Sequence, residues 1–176
     1  MKRPFYLTGI LLLVAINAFC QDATWFSRYD IGSTGAKTYM PKKEEFKVDD
    51  SPDGSKVYTA EVLYKNIYYD IIFVKLKDPV NGTSSELVGL LTSYLDFFKK
   101  QFEITSSEGY TKGFNLNGNS GIYGVTDNWK DKESNKWKIG GWVNSKYIAI
   151  IFNYSVNEPS QADFDYIRNG FVFPSY

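Results

Sequence analysis

Carboxylates are the side chains of this chain best able to do chemistry, because the commonest catalytic residues are missing. The sequence contains no His, and its single Cys is Cys20, close to the N-terminus. A Ser-His-Asp triad, a Cys-His pair, a His-ligated metal site and a thiol redox centre therefore lack residues that they require. The composition favours a protein that is not an enzyme, and it points to no cofactor.

Two acids, Glu61 and Asp70, support an alternative to that view. They fall on neighbouring predicted strands, so their side chains can approach each other. Two facing carboxylates in a cleft are what glycoside hydrolysis needs. A carboxylate-dependent enzyme acting on glycans is therefore kept as the alternative hypothesis, although isolated acids on strands usually face solvent.

The acidic segment 49–54 partly matches a calcium-binding loop. Oxygen-bearing side chains stand at positions 1, 3 and 5 of such a loop, on Asp49, Ser51 and Asp53. Position 12 needs a bidentate acid but is Ala60, and Pro52 stiffens the segment. We interpret it as an acidic turn and keep Asp49, Ser51 and Asp53 only as secondary metal candidates.

Aromatic side chains on strands are the candidates for a binding surface. The chain has 14 Tyr, 13 Phe and 4 Trp, which together make up 18% of its residues. Most should lie in the core, since each buries a large area. Trp129 and Trp137 flank the polar segment 131–135, so a binding face is predicted first at these two residues.

The charge balance excludes two classes of partner. There are 20 basic and 20 acidic side chains, and no basic stripe stands out. A nucleic-acid-binding protein needs such a stripe to displace counterions, and attraction to anionic lipid needs one as well. We expect instead a protein, an envelope component or a small ligand as the partner.

The N-terminal 20 residues have the pattern of a cleaved signal peptide. Lys2 and Arg3 precede an apolar stretch, and small side chains at Ala18 and Cys20 stand at −3 and −1 of a cut before Gln21. The stretch is too short for a membrane-spanning helix. We therefore expect an exported protein, periplasmic or secreted, with residues 21–176 forming one domain. Cleavage before Cys20 and lipidation on it is the less favoured alternative, because Phe19 is bulky.

Alternating and β-branched segments predict strands in both halves of the chain. The predicted strands are 45–48, 57–64, 67–76, 121–130, 136–143 and 147–154. Lys65 and Asn66 suit a tight hairpin turn. The last of these strands is nearly all apolar, which is typical of a central strand covered on both faces.

One long helix is predicted over about 84–103. Its start, Thr83 to Glu86, fits a capping box. An apolar stripe on Leu87, Leu90, Leu91, Tyr94, Phe98 and Phe102 follows at helical spacing. Ser160 begins a short C-terminal helix that ends at Gly170. The order βββ-α-βββ-α predicts an α+β fold, a mostly antiparallel sheet with both helices packed on it.

This order of elements resembles that of the PsbP-like superfamily over about residues 38–173. The matching features are the strands, the helix from Ser85 to Phe102, the Gly-rich segment 118–124, the strand at 146–150 and the terminal Phe171-Val172-Phe173. The resemblance implies the α+β fold of exported PsbP/Mog-type domains and a binding role. It carries no site residues across, because functions differ among members.

Overall fold

The structure, a computed structural model, describes residues 25–174; the predicted signal peptide and Cys20 lie outside this range. The described chain forms ten strands and two α-helices. The strands are β1 (Ser27–Asp30), β2 (Lys37–Met40), β3 (Lys47–Asp50), β4 (Lys56–Tyr64), β5 (Ile67–Lys75), β6 (Ile104–Ser107), β7 (Thr111–Asn115), β8 (Tyr123–Asp131), β9 (Lys136–Val143) and β10 (Tyr147–Ser155). The helices are α1 (Ser84–Gln101) and α2 (Gln161–Gly170). Neither helix is long and apolar enough to cross a membrane.

The main sheet is antiparallel and has eight strands. Its order is β3-β4-β5-β10-β9-β8-β6, and β7 also pairs with β8. Strands β1 and β2 form a separate antiparallel pair. The predicted α+β class, with a mostly antiparallel sheet, a long helix and a short C-terminal helix, is confirmed.

Local sequence accounts for the strongest elements. Lys65 and Asn66 both have positive φ, as a two-residue hairpin turn between β4 and β5 requires. The predicted capping box is present: the Thr83 N–H donates to Glu86 Oε2 at 2.7 Å, and the Glu86 N–H donates to Thr83 Oγ1 at 3.3 Å. The predicted central strand, β10, lies between β5 and β9 and is buried along most of its length.

The sheet has an apolar core on each face. On the first face α1 lies across β8, β9 and β6 and buries Leu87, Leu91 and Leu95. On the second face the β1–β2 pair, α2 and the C-terminal segment cover the sheet, with Phe171 fully buried. Alternate residues of each strand therefore belong to different cores.

Four short strands were not predicted, namely β1, β2, β6 and β7. They are four or five residues long, and β1 and β6 expose nearly all their side chains. Short polar strands carry no alternating apolar pattern from which to predict them. The strand predicted at 45–48 lies at 47–50, so Asp49 belongs to β3 and not to the turn.

Candidate functional site

A groove lies beside α1 on the first face. The backbone of α1 contacts β8, β9 and β6, and its other flank faces β4 and β5, where Val57 is half-buried while Ile72 and Val74 are only 8% and 2% exposed. The groove runs between the flank of α1 and these two strands, and its cavity volume is about 520 Å³. That volume is typical of small-molecule sites.

The walls of the groove are almost entirely apolar. Val57, Ile72 and Val74 form the floor, on β4 and β5. The wall comes from one flank of α1, where Phe97 is 54% exposed. The α1 residues that line it are Leu90, Ser93, Tyr94, Phe97 and Phe98. The turn 51–53 closes one end of the groove.

Two adjacent acids lie beyond one end of the groove, further along β4 and β5, in a neighbouring cavity that shares no lining residue with it. Glu61 on β4 and Asp70 on β5 are directly paired across the two strands, so their side chains rise side by side from the sheet. Asp70 shares a face with Ile72, two residues along β5, so the acids continue the groove floor. The sequence indicated that these two carboxylates can approach each other, and the direct pairing of Glu61 with Asp70 across the strands agrees with this.

Asp70 has few groups to stabilise its charge. Burial, with a smaller contribution from the negative charge of Glu61, raises the pKa of Asp70 to about 7. The backbone N–H of Ile71 is the one group that acts in the other direction. At neutral pH Asp70 is therefore partly protonated.

Tyr154 on β10 fixes the position of Glu61. Its hydroxyl donates a hydrogen bond to Glu61 Oε2 at 2.8 Å. Burial, followed by that hydrogen bond, raises the pKa of the Tyr154 hydroxyl, so it remains a donor. One oxygen of Glu61 is thus occupied within the protein.

Around these residues a second cavity of about 230 Å³ has a strongly negative lining. Its acids are Glu61, Asp70, Glu103, Asp131 and Glu133, and its one base is Lys132, which pairs with Glu103. Tyr154 and Trp137 form part of its wall, with their rings stacked and their centroids 3.9 Å apart. An apolar groove next to an acidic cavity is suited to a ligand with an apolar body and a positive end.

Trp129 and Trp137 do not form the exposed surface that the sequence predicted. They are paired across β8 and β9 and are only 3% and 6% exposed. The Nε1–H of Trp129 donates to Asp127 at 2.6 Å, and that of Trp137 donates to Asp131 at 2.9 Å. The prediction of exposure is wrong because α1 and the neighbouring aspartates enclose both indoles. Trp137 still contributes to the wall of the acidic cavity.

The residues kept as secondary metal candidates do not lie together: Asp49 is on a strand, and Ser51 and Asp53 are in the turn that follows it. Asp49 lies on β3, opposite Val57. The carboxylate of Asp53 accepts hydrogen bonds from Ser51 and Ser55, and these lower the pKa of Asp53. Over residues 25–174 no group of three or more acids, His or Cys is arranged to hold a metal ion.

Comparison with known proteins adds no relative. No family model matches the chain, and no curated protein matches it.

Proposed function

We propose that this protein binds a small amphipathic ligand and is not an enzyme. The apolar body of the ligand lies in the groove between α1 and β4–β5, and its positively charged end meets Glu61 and Asp70. If the predicted signal peptide directs export, the ligand is bound outside the cytoplasm. The resemblance to the PsbP-like superfamily, itself a proposal, agrees with a binding role.

The observation that carries this proposal is the apolar groove beside α1. Phe97 is more than half exposed although it neighbours a well-packed core, and apolar residues form nearly all of the floor. Contiguous exposed apolar surface on a small protein often marks a binding site. Burying it under the methylene chain of a ligand releases about 25 cal/mol for each Å² removed from water.

The acids of the second cavity predict that the other end of the ligand is positively charged. The acidic cavity has five carboxylates and one lysine, and that lysine is already paired with Glu103. A ligand ammonium placed there forms charge-assisted hydrogen bonds with Asp70 and with the free oxygen of Glu61. A negatively charged end in the same place is repelled.

Three probes with the same apolar chain test this arrangement: dodecylammonium, dodecanol and laurate. Isothermal titration should rank their affinities in that order, with dodecylammonium about tenfold or more tighter than dodecanol, because its head forms charged hydrogen bonds. Phe97→Ser should weaken all three. Val156→Ser, at an exposed apolar residue that does not line the groove, is the matched control and should change none.

Two results would refute the proposal in different ways. Equal affinity of dodecylammonium and laurate would show that the acids do not select the charge of the ligand, so that only the apolar groove contributes to binding. Equal effects of Phe97→Ser and Val156→Ser would show that the chains bind elsewhere on the protein.

The second candidate function is the carboxylate enzyme, which the pKa of Asp70 favours. A carboxyl with a pKa of about 7 is partly protonated at neutral pH, as a general acid requires. Against it, Glu61 and Asp70 rise from one wall, whereas a glycosidase needs its two carboxyls on either side of the scissile bond. Hydrolysis of an aryl glycoside that Asp70→Asn abolishes would favour the enzyme over the binding protein.

A further inference from the structure

We propose a second binding site, for a small polyanion, on the opposite face of the sheet beside α2. It is a cavity of about 370 Å³ at the ends of β8 and β9, independent of the groove. The loop residues Glu158 and Pro159 form one wall and β6 forms the other. Three lysines line it, Lys130, Lys136 and Lys138.

Two of these lysines are placed so that their charges repel. Lys130 and Lys136 are directly paired across β8 and β9, so their side chains leave the sheet in the same direction. Like charges directly opposite each other on a sheet are destabilising. Within residues 25–174 neither forms an ion pair, although Lys136 lies near enough to Glu158 to affect its pKa. An anion between the two ammonium groups relieves this repulsion.

The acids of the cavity are already engaged. Glu158 accepts from Lys138 Nζ at 3.1 Å, and Glu108 accepts from Asn128 Nδ2 at 2.7 Å. Glu108 keeps its charge, because its partner is a neutral amide, so the three lysines of the lining exceed its two acids by one positive charge. The lining has a surplus of hydrogen-bond donors.

Buried donors next to the cavity add to that surplus. The Lys138 side chain is only 8% exposed, and Glu158 is its single ion-pair partner among the described residues. Asn153 on β10 is paired with Lys138 in the register, and its Nδ2 is buried without an acceptor. A buried amide donor that lacks an acceptor is destabilising. A ligand rich in acceptor oxygens suits these surroundings.

The ligand class follows from these counts. Lys130 and Lys136, which face each other and form no ion pair within residues 25–174, favour a molecule with at least two phosphate, sulfate or carboxylate groups that can bridge them. The cavity volume is large enough for such a molecule. A single chloride ion neutralises only one of the facing lysines.

Titration with inorganic pyrophosphate, against sodium chloride at equal ionic strength, tests the proposal. Calorimetry should show saturable binding to the wild type. Lys130→Gln and Lys136→Gln should each weaken it about tenfold, since each removes a charge-assisted contact. Lys136→Arg, which keeps the charge, should retain binding, and Lys112→Gln, at an exposed lysine of β7 outside the cavity, should match the wild type.

Nuclear magnetic resonance supplies an independent readout. Pyrophosphate should shift the side-chain amide of Asn128 and the backbone amides near Lys138, and should leave those near Phe97 in place. Absence of saturable binding would overturn the proposal. Equal weakening in Lys136→Gln and Lys112→Gln would also overturn it, since only general charge attraction would then remain.

Discussion

The two halves of the first sheet face differ in how α1 meets them: its backbone contacts β8 and β9, whereas a groove lies between its other flank and β4–β5. On the flank toward β8 and β9 Leu91 and Leu95 are fully buried, and on the groove flank Leu90 and Tyr94 are only partly buried. One amphipathic helix therefore contributes to a core on one flank and lines a groove on the other. The half formed by β8 and β9 stabilises the fold, and the groove beside β4 and β5 is available for a ligand.

A carboxylate from each half shows a similar difference: Asp127 is well compensated, and Asp70 is not. Asp127 on β8 accepts from Ser107 at 2.6 Å and from the Gly109 N–H at 3.0 Å, and it pairs with Lys99 at 3.1 Å. Asp70 on β5 has another acid as its cross-strand neighbour. A fully paired buried charge supports the fold, whereas a poorly compensated one costs stability.

Asp127→Ala should have the largest effect on stability. Removing the buried Asp127 leaves the Trp129 Nε1–H without its acceptor and takes from Lys99 its closest carboxylate, which costs about 3–5 kcal/mol. Urea unfolding followed by circular dichroism measures the loss. The exposed Asp96, which lies 3.8 Å from the same lysine, is the control; Asp96→Ala should cost only about 1 kcal/mol. Equal losses would contradict the distinction between the two aspartates.

Leu91→Ala and Leu90→Ala compare the two flanks of α1 directly. Leu91 packs against Gly141 of β9, so its truncation should leave a cavity and cost about 2–5 kcal/mol. Leu90 faces the groove, and its truncation should cost roughly 1 kcal/mol or less. Chemical denaturation of the two variants under identical conditions checks the difference. Similar values would mean that the groove flank is as well packed as the flank toward β8 and β9.

Asp70→Asn should stabilise the protein in a pH-dependent way. The pKa of Asp70 is raised from 3.8 to about 7 by folding, so between these values the folded state holds more protons than the unfolded state, and wild-type stability falls as pH rises. The variant lacks this dependence. Its advantage should be near zero at about pH 4 and reach roughly 2–4 kcal/mol above about pH 7.

Thermal melts across this range check the prediction, and Asp49→Asn, at an exposed acid on β3, is the control variant. An Asp70→Asn advantage that stays constant with pH would contradict the raised pKa.

Phe97→Ser should change stability least. The side chain is mostly exposed, so its loss should alter the free energy of unfolding by about 0.5 kcal/mol or less. A normal unfolding curve together with weakened dodecylammonium binding would show that Phe97 contributes to ligand binding and not to the stability of the fold. A large destabilisation would place Phe97 in the core.

The sequence predicted the elements that depend on local chemistry. The capping box at Thr83, the Lys65-Asn66 turn and the central β10 strand are all visible as short motifs or continuous apolar runs. The apolar stripe of α1 was also predicted, but not which of its residues are fully buried. Its burial depends on which strands lie beneath each flank, and strand order is a long-range property that helical spacing does not contain.

The candidate site was only partly predictable, for the same reason. Glu61 and Asp70 were selected because they fall on a hairpin whose register is set by its turn. Tyr154, which binds Glu61, comes from a strand 93 positions away in sequence. Trp129 and Trp137 were expected at the surface because they flank a polar turn, and that segment instead supplies Asp131, which binds the Trp137 indole. The sequence did not identify Phe97 as a binding residue, because it lies outside the predicted apolar stripe of α1.

Methyl chemical-shift mapping with dodecylammonium at about pH 8, where Asp70 is ionised, tests the account most directly. We predict saturable shifts at Ile72, Val74 and Leu90, which line the groove, and none at Ile151, which lies in the core of the opposite face. Shifts centred on the second face, or no saturable shift at the three groove residues, would contradict the claim that the groove beside β4 and β5 is the binding site.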